Sequence, residues 1–205
     1  MTKTKRLILF TAQAALIAAL YAVLTLAAWS FSSMAIQVRI SEALCVLPLF
    51  TPAAIPGLFI GCFLSNIIAG NVPDAVFGSL TTLIAAALTW LIGKAVKNNL
   101  KIIPGPFPAV LLKAIVVPFI LYYGYNIREF MGYTEFAPVM ALTALSVFIG
   151  QTIACYGIGV PLYFALKGIS DRTDLFRVKK KNAARDQANN KEENRIAKNN
   201  ESEEQ

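Results

Sequence analysis

LILFTAQAALIAALYAVLTLAA, residues 7–28, contains no charged side chain. At the 1.5 Å rise of an α-helix, ~20 apolar residues cross the hydrocarbon of a bilayer. The rival reading is a secretory leader. The run is too long for the apolar core of a leader, and further apolar runs follow it, so it reads as a retained transmembrane helix. Lys3, Lys5 and Arg6 stand before it. The whole chain has 205 residues, of which 56% are hydrophobic and 15% charged, where soluble domains carry about 25% charged residues. Residues 7–166 are nearly bare of charge and 170–205 are crowded with it. The pattern predicts a membrane domain over 1–169 and a polar, disordered cytoplasmic tail over 170–205, whose composition cannot bury enough apolar surface to offset its ordering entropy.

Composition also removes function classes. The chain has no histidine, which excludes histidine-based triads, histidine metal sites and the usual proton shuttle. Cys45, Cys62 and Cys155 are far apart in sequence and sit in apolar runs, so they read as small hydrophobes and not as a disulfide set or a metal site. No metal or cofactor is expected. The net charge of +7 does not point to nucleic acid, because the bases flank hydrophobic spans in the manner of cytoplasmic loops.

Outward from the first helix, the next informative stretch is QVRISEALCVLP, Gln37 to Pro48. Arg39 and Glu42 are two of only three formal charges between Leu7 and Gly93. An ionisable residue in a membrane-embedded stretch is a functional-site hypothesis by default. From Ala35 to Ser41 apolar and polar residues alternate, which predicts an extended segment with two faces. Ser41 is placed to cap a second, short helix with Glu42 in its first turn, ending around Pro48 to Pro52. A third helix is expected over about 53–69 with a stripe of small residues, Ala53, Gly57, Gly61, Ser65 and Ala69. Gly70 and Asn71 end it, and Pro73 and Asp74 open a fourth, about 74–93. A fifth is expected over about 109–126 with a kink at Pro118, and a sixth from about Phe136 to Leu166, long enough to tilt or bend near Gly157, Gly159 and Pro161.

The expectation is an all-α membrane protein of six transmembrane helices with both termini cytoplasmic. The lysines other than Lys113 then fall on 1–6, 94–105 and beyond 166, and the external loops hold only Arg39 and Arg128, which fits the positive-inside rule. Lys113 is the exception and is expected to snorkel to the cytoplasmic face. Gln37, Arg39, Glu42, Asn66, Asn71, Asp74, Asn126, Arg128 and Glu129 gather at the external end, with Trp29, Tyr122, Tyr123 and Tyr125 at the same level. Carboxylates, amides, a guanidinium and aromatic faces together suit a planar, polar heterocycle. Each has a plainer reading. Arg39 and Glu42, three apart, are able to neutralise each other. Asp74 suits a helix's first turn, Trp29 and the tyrosines an interfacial belt, Arg128 and Glu129 a solvated pair, and Asn126 a helix end. Gln151, deeper in the sixth helix, ranks below these. In the first helix Ala14, Ala18 and Ala22 recur at four-residue spacing, with Ala15 and Ala19 beside them; such a stripe packs either within the chain or on a partner.

The order of these features is a charged N-terminus, an alanine-striped helix ending ALYAVLT, then IQVRISEALCVLPLF, TPAAIPGLFIGCFLSN and DAVFGSLTTLIAAALT. It resembles the QueT family, membrane proteins assigned to import of queuosine precursors, over about 1–168. They are substrate-binding S components of energy-coupling factor transporters. The resemblance implies a six-helix protein that binds its solute on the outer side beneath the first loop. It implies docking onto one transmembrane T component and two cytoplasmic ATPases, with Ala14, Ala18 and Ala22 as the face that meets the T component. It implies a 7-deazaguanine such as 7-aminomethyl-7-deazaguanine as solute, with Gln37, Arg39, Glu42, Asn66, Asp74, Tyr123 and Asn126 as candidate contacts. Glu42 or Asp74 would accept from the ring N–H and exocyclic amine, and the other would meet the aminomethyl cation. The chain has no GxxxxGK[ST], so ATP hydrolysis by the P-loop route falls to the partners. Other readings are an S component for another vitamin or purine-like solute, and a structural or assembly membrane protein without a small ligand. An intramembrane enzyme is disfavoured, since it needs an acid–base pair or metal site that the sequence does not supply.

Overall fold

The structure, a computed structural model, describes residues 3–28, 39–96, 99–124 and 136–172. Among these residues every regular element is a helix. Helix α1 is Lys3–Ala27. Helix α2, Ile40–Leu49, has 3-10 geometry. Helix α3 is Ala54–Ile68. A π-helical turn, Asp74–Gly78, leads into α4, Ser79–Ala95. A 3-10 turn, Asn99–Ile102, precedes α5, Phe107–Gly124. Helix α6, Phe136–Thr152, passes through a π-helical segment, Ile153–Ile158, into α7, Gly159–Arg172. Among the described residues four stretches are long and apolar enough to cross a membrane: Lys3–Ala27, Asp74–Ala95, Leu100–Gly124 and Phe136–Ile169. Helices α2 and α3 are shorter. Met1–Tyr163 forms one compact unit and Phe164–Gln205 a second. The backbone of α7 continues through Ser170 and Asp171 to Arg172, into the stretch read as tail, and residues 173–205 lie outside the described residues.

The distribution of side chains inverts that of a soluble protein. Large apolar residues point outward on each long helix: Leu16 and Val23 on α1, Ile84 and Leu91 on α4, Ile115 and Phe119 on α5, Leu145 and Phe148 on α6. Leu16 is 71% exposed while Glu42, Asn66, Thr89 and Lys113 are buried. An exterior of that kind over several helices is stable only against lipid. The protein is therefore a multi-pass membrane protein.

Two local rules explain the packing that positions the polar residues. The first is close approach of α1 and α3. A β-carbon at Gly57 would lie 2.8 Å from the Ala14 carbonyl oxygen, and one at Gly61 would lie 2.7 Å from that of Ala18. The Ala14 and Ala18 stripe is thus occupied by the chain's own glycine stripe. The second is the end of α3. Gly70 adopts φ +76°. The Asn71 amide donates to the Asn66 carbonyl at 2.8 Å and the Gly70 amide to Ile67 at 3.0 Å. This is the Schellman pairing, which needs a left-handed residue and so selects glycine. It turns the chain sharply and returns Asp74 beside the end of α3.

The two ends of the unit differ. At one end Thr51 donates to the Gln13 side chain at 3.2 Å, and Lys101 lies over the rings of Phe50 and Tyr163 at 5.9 and 6.0 Å. Lys94 caps the Trp90 ring there at 3.6 Å. Arg39, Asn66 and Asp74 gather where α3 ends, away from this lysine-bearing end. Cys45 and Cys155 come together in the core, with Sγ atoms 3.2 Å apart and both thiols free. Their separation in sequence gave no sign of that.

Candidate functional site

Three residues of one short segment, Arg39, Ser41 and Glu42, tie the bundle together. Arg39 has extended backbone, φ −93° and ψ 104°, and serves as the N-cap of α2. Ser41 does not cap that helix as expected. Its hydroxyl instead accepts a hydrogen bond from Thr25 of α1 at 2.8 Å. Because the chain turns from extended to helical between Arg39 and Ile40, Arg39 and Glu42 diverge. They do not pair with each other, contrary to the plainer reading of their spacing.

Glu42 goes inward. Its Oε1 accepts from the Tyr21 hydroxyl of α1 at 2.6 Å and from the Lys113 ammonium of α5. The Lys113 and Glu42 side chains are 3% and 2% exposed. Lys113 therefore does not snorkel to the cytoplasmic face; it turns into the core as the counter-ion of Glu42. A signal for this was available. Lys113 is the sole formal charge in Phe107–Gly124, and a buried cation requires a buried anion. The backbone carbonyl of Glu42 lies 3.6 Å from Cys155 Sγ, which brings in the π-helical segment before α7.

Arg39 goes to the end of α3. Its Nη2 donates to Asp74 Oδ2 at 2.5 Å and to Asn66 Oδ1 at 3.3 Å. The Asn66 amide is fixed from behind, donating to the Cys62 carbonyl at 3.0 Å. In this pair Arg39 is 19% and Asp74 8% exposed. Asp74 Oδ1 has no hydrogen-bond partner, and it is the one buried side-chain nitrogen or oxygen among the described residues in that state. Gly78, one turn on, leaves it room: a β-carbon there would collide with Oδ1.

Of the residues singled out in the sequence, Arg39, Asn66 and Asp74 thus form one cluster, and Glu42 sits in a second, sealed one. Tyr123 is 73% exposed and meets the Tyr122 ring edge-on at 5.0 Å, and no contact joins it to the cluster. Gln151 is buried beside Cys155, 3.8 Å from its Sγ. Gln37, Asn126, Trp29, Tyr125, Arg128 and Glu129 lie outside the described residues. Ala14 and Ala18 are buried against α3, and Ala22 keeps partial exposure. Among the described residues there is no group of three or more cysteine, aspartate or glutamate side chains placed to hold a metal ion.

Residues 11–168 match the QueT transporter family. The chain belongs to the QueT family. It is accordingly the S component of an energy-coupling factor transporter that imports a queuosine precursor, and it works with an energy-coupling module. QueT transporters are not enzymes. No curated protein and no solved structure matches this QueT chain.

Proposed function

We propose that the Arg39–Asn66–Asp74 cluster is the outer, solute-holding end of this S component, and that the solute is a 7-deazaguanine such as 7-aminomethyl-7-deazaguanine. The observation that carries the reading is the buried carboxylate oxygen of Asp74 without a donor, beside a guanidinium at the end opposite the lysines. Gln37 and Asn126 belong to the same proposed site by their place in the sequence, and Tyr123 would reach it only by turning inward. Glu42, engaged by Tyr21 and Lys113, is left outside it.

In this reading the chain crosses the membrane six times over 1–169, with both termini and the polar segment 170–205 in the cytoplasm. Lys3, Lys5, Arg6, Lys94 and Lys101 support that orientation. Helix α2 rises only about 20 Å at the ~2 Å per residue of 3-10 geometry, so it crosses only together with its flanking residues. The partners are a T component and two ATPases. On α1 the docking face is the outward one. Ala15 and Ala19 are exposed and Ala22 half-buried, while Ala14 and Ala18 are already in use against α3.

The test is isothermal titration of the purified full chain with deazaguanines, guanine, riboflavin and thiamine. Saturable binding of a deazaguanine is expected. Binding of a vitamin with none of a deazaguanine would end the solute assignment. Absence of any ligand, with no ligand-induced rise in melting temperature, would favour an assembly role.

A further inference from the structure

We propose that Asp74, through Oδ1, is the carboxylate that reads the N–H edge of the solute, and that Glu42 does not touch it. This rests on the solute class given above and decides which of its two carboxylates makes contact.

Glu42 is occupied. Its Oε1 already receives the Tyr21 hydroxyl and the Lys113 ammonium, and its side chain is sealed in the bundle. A solute N–H arriving there would have to displace Lys113 and strand an ammonium in an apolar interior. A cationic substituent would meet that ammonium as a like charge.

Asp74 is the reverse case. Arg39 and Asn66 fix one side of the cluster, with Arg39 on Asp74 Oδ2, and Oδ1 remains buried without a donor. An unsatisfied buried acceptor destabilises the protein that carries it. A donor that arrives with the ligand removes that cost. The local backbone holds the atom in place. Asp74 opens a π-helical turn, a feature that recurs at functional sites, and Gly78 supplies the space Oδ1 occupies.

A guanidinium beside a free carboxylate oxygen presents donors and an acceptor side by side. The complement is a ring lactam with an adjacent exocyclic amine, where a carbonyl oxygen accepts and N–H groups donate. That is the edge of a guanine-type ring. A ring lacking the amine offers one donor fewer and should bind more weakly.

The experiment titrates the full chain with 7-deazaguanine and with 7-deazahypoxanthine, the same ring without the exocyclic amine. The natural chain should prefer 7-deazaguanine by on the order of 10–100-fold, the range for one hydrogen bond to a charged group. Asp74→Asn should bring the two affinities within about threefold of each other. Gly78→Ala keeps the carboxylate but displaces Oδ1 and should do the same. Glu42→Gln combined with Lys113→Met should leave the preference intact. Melting curves establish that each variant is folded, and if Asp74→Asn is not, Gly78→Ala decides. An equal affinity of the natural chain for both rings overturns the proposal. So does a preference that survives in folded Asp74→Asn or Gly78→Ala, or one that vanishes in the folded Glu42→Gln, Lys113→Met chain. Binding of neither ring overturns the solute class as well, whereas binding with an unmoved preference in Asp74→Asn overturns only the role of Asp74.

Discussion

The bundle holds two ion pairs that differ in completeness. Glu42 and Lys113 are at most 3% exposed, and Tyr21 adds a third hydrogen-bonding group. Arg39 and Asp74 are 19% and 8% exposed, and one carboxylate oxygen is left over. The first pair joins α1, α2 and α5, and no buried nitrogen or oxygen of its side chains is left without a partner. The second joins the start of α2 to α3 and to the turn that leads into α4, and one of its carboxylate oxygens is buried without a donor. Desolvation of a charge is offset only by full pairing. The inner pair comes closer to that condition within the chain, and the outer pair leaves one oxygen short of it. On the proposed reading, similar chemistry serves architecture in one place and recognition in the other.

The comparison is broken most severely at Lys113. Lys113→Met leaves Glu42 buried without its cation and should destabilise the protein by about 3–5 kcal/mol, read as a lower melting temperature in detergent. Adding Glu42→Gln should recover most of that loss, because a neutral, well-packed pair is often as stable as a buried ionic one. If the single variant melts with the natural chain, the inner pair is not architectural. Next in size is Tyr21→Phe. It removes one hydrogen bond to a carboxylate, worth about 1.5–3 kcal/mol, and should leave solute affinity unchanged in a titration. Thr25→Val removes the tie to Ser41 and should cost about 1 kcal/mol in a denaturant melt. The smallest stability effect belongs to the outer pair. Arg39→Gln with Asp74→Asn should change stability by less than about 1 kcal/mol and abolish measurable solute binding. A large fall in melting temperature for this double variant would erase the distinction between the pairs.

Much of the helical layout was legible in the sequence because lipid imposes long uncharged runs and glycine or proline ends them. Helix α3 was expected over about 53–69 and spans Ala54–Ile68, ended by Gly70 as anticipated. In the last long stretch, where a tilt or bend was expected near Gly157, Gly159 and Pro161, the helix takes π geometry over Ile153–Ile158. Pairing was less legible. Arg39 and Glu42 are neighbours at helical spacing, yet the extended backbone at Arg39 sends their side chains to different helices. Lys113 meets Glu42 across 71 residues of chain, and no local period encodes that contact. The alanine stripe announced close packing without naming its partner. The chain itself supplies one, since Gly57 and Gly61 face Ala14 and Ala18.

That contact bears on how the molecule moves. At Gly57 and Gly61 the main chain of α3 is pressed against the Ala14 and Ala18 carbonyls of α1, and Ile17, Tyr21, Leu58 and Cys62 interlock beside these contacts. Mechanically they are a double rod. On the proposed docking, a tilt imposed on the outward face of α1 would therefore carry α3 with it, and with α3 Asn66 and the guanidinium it holds.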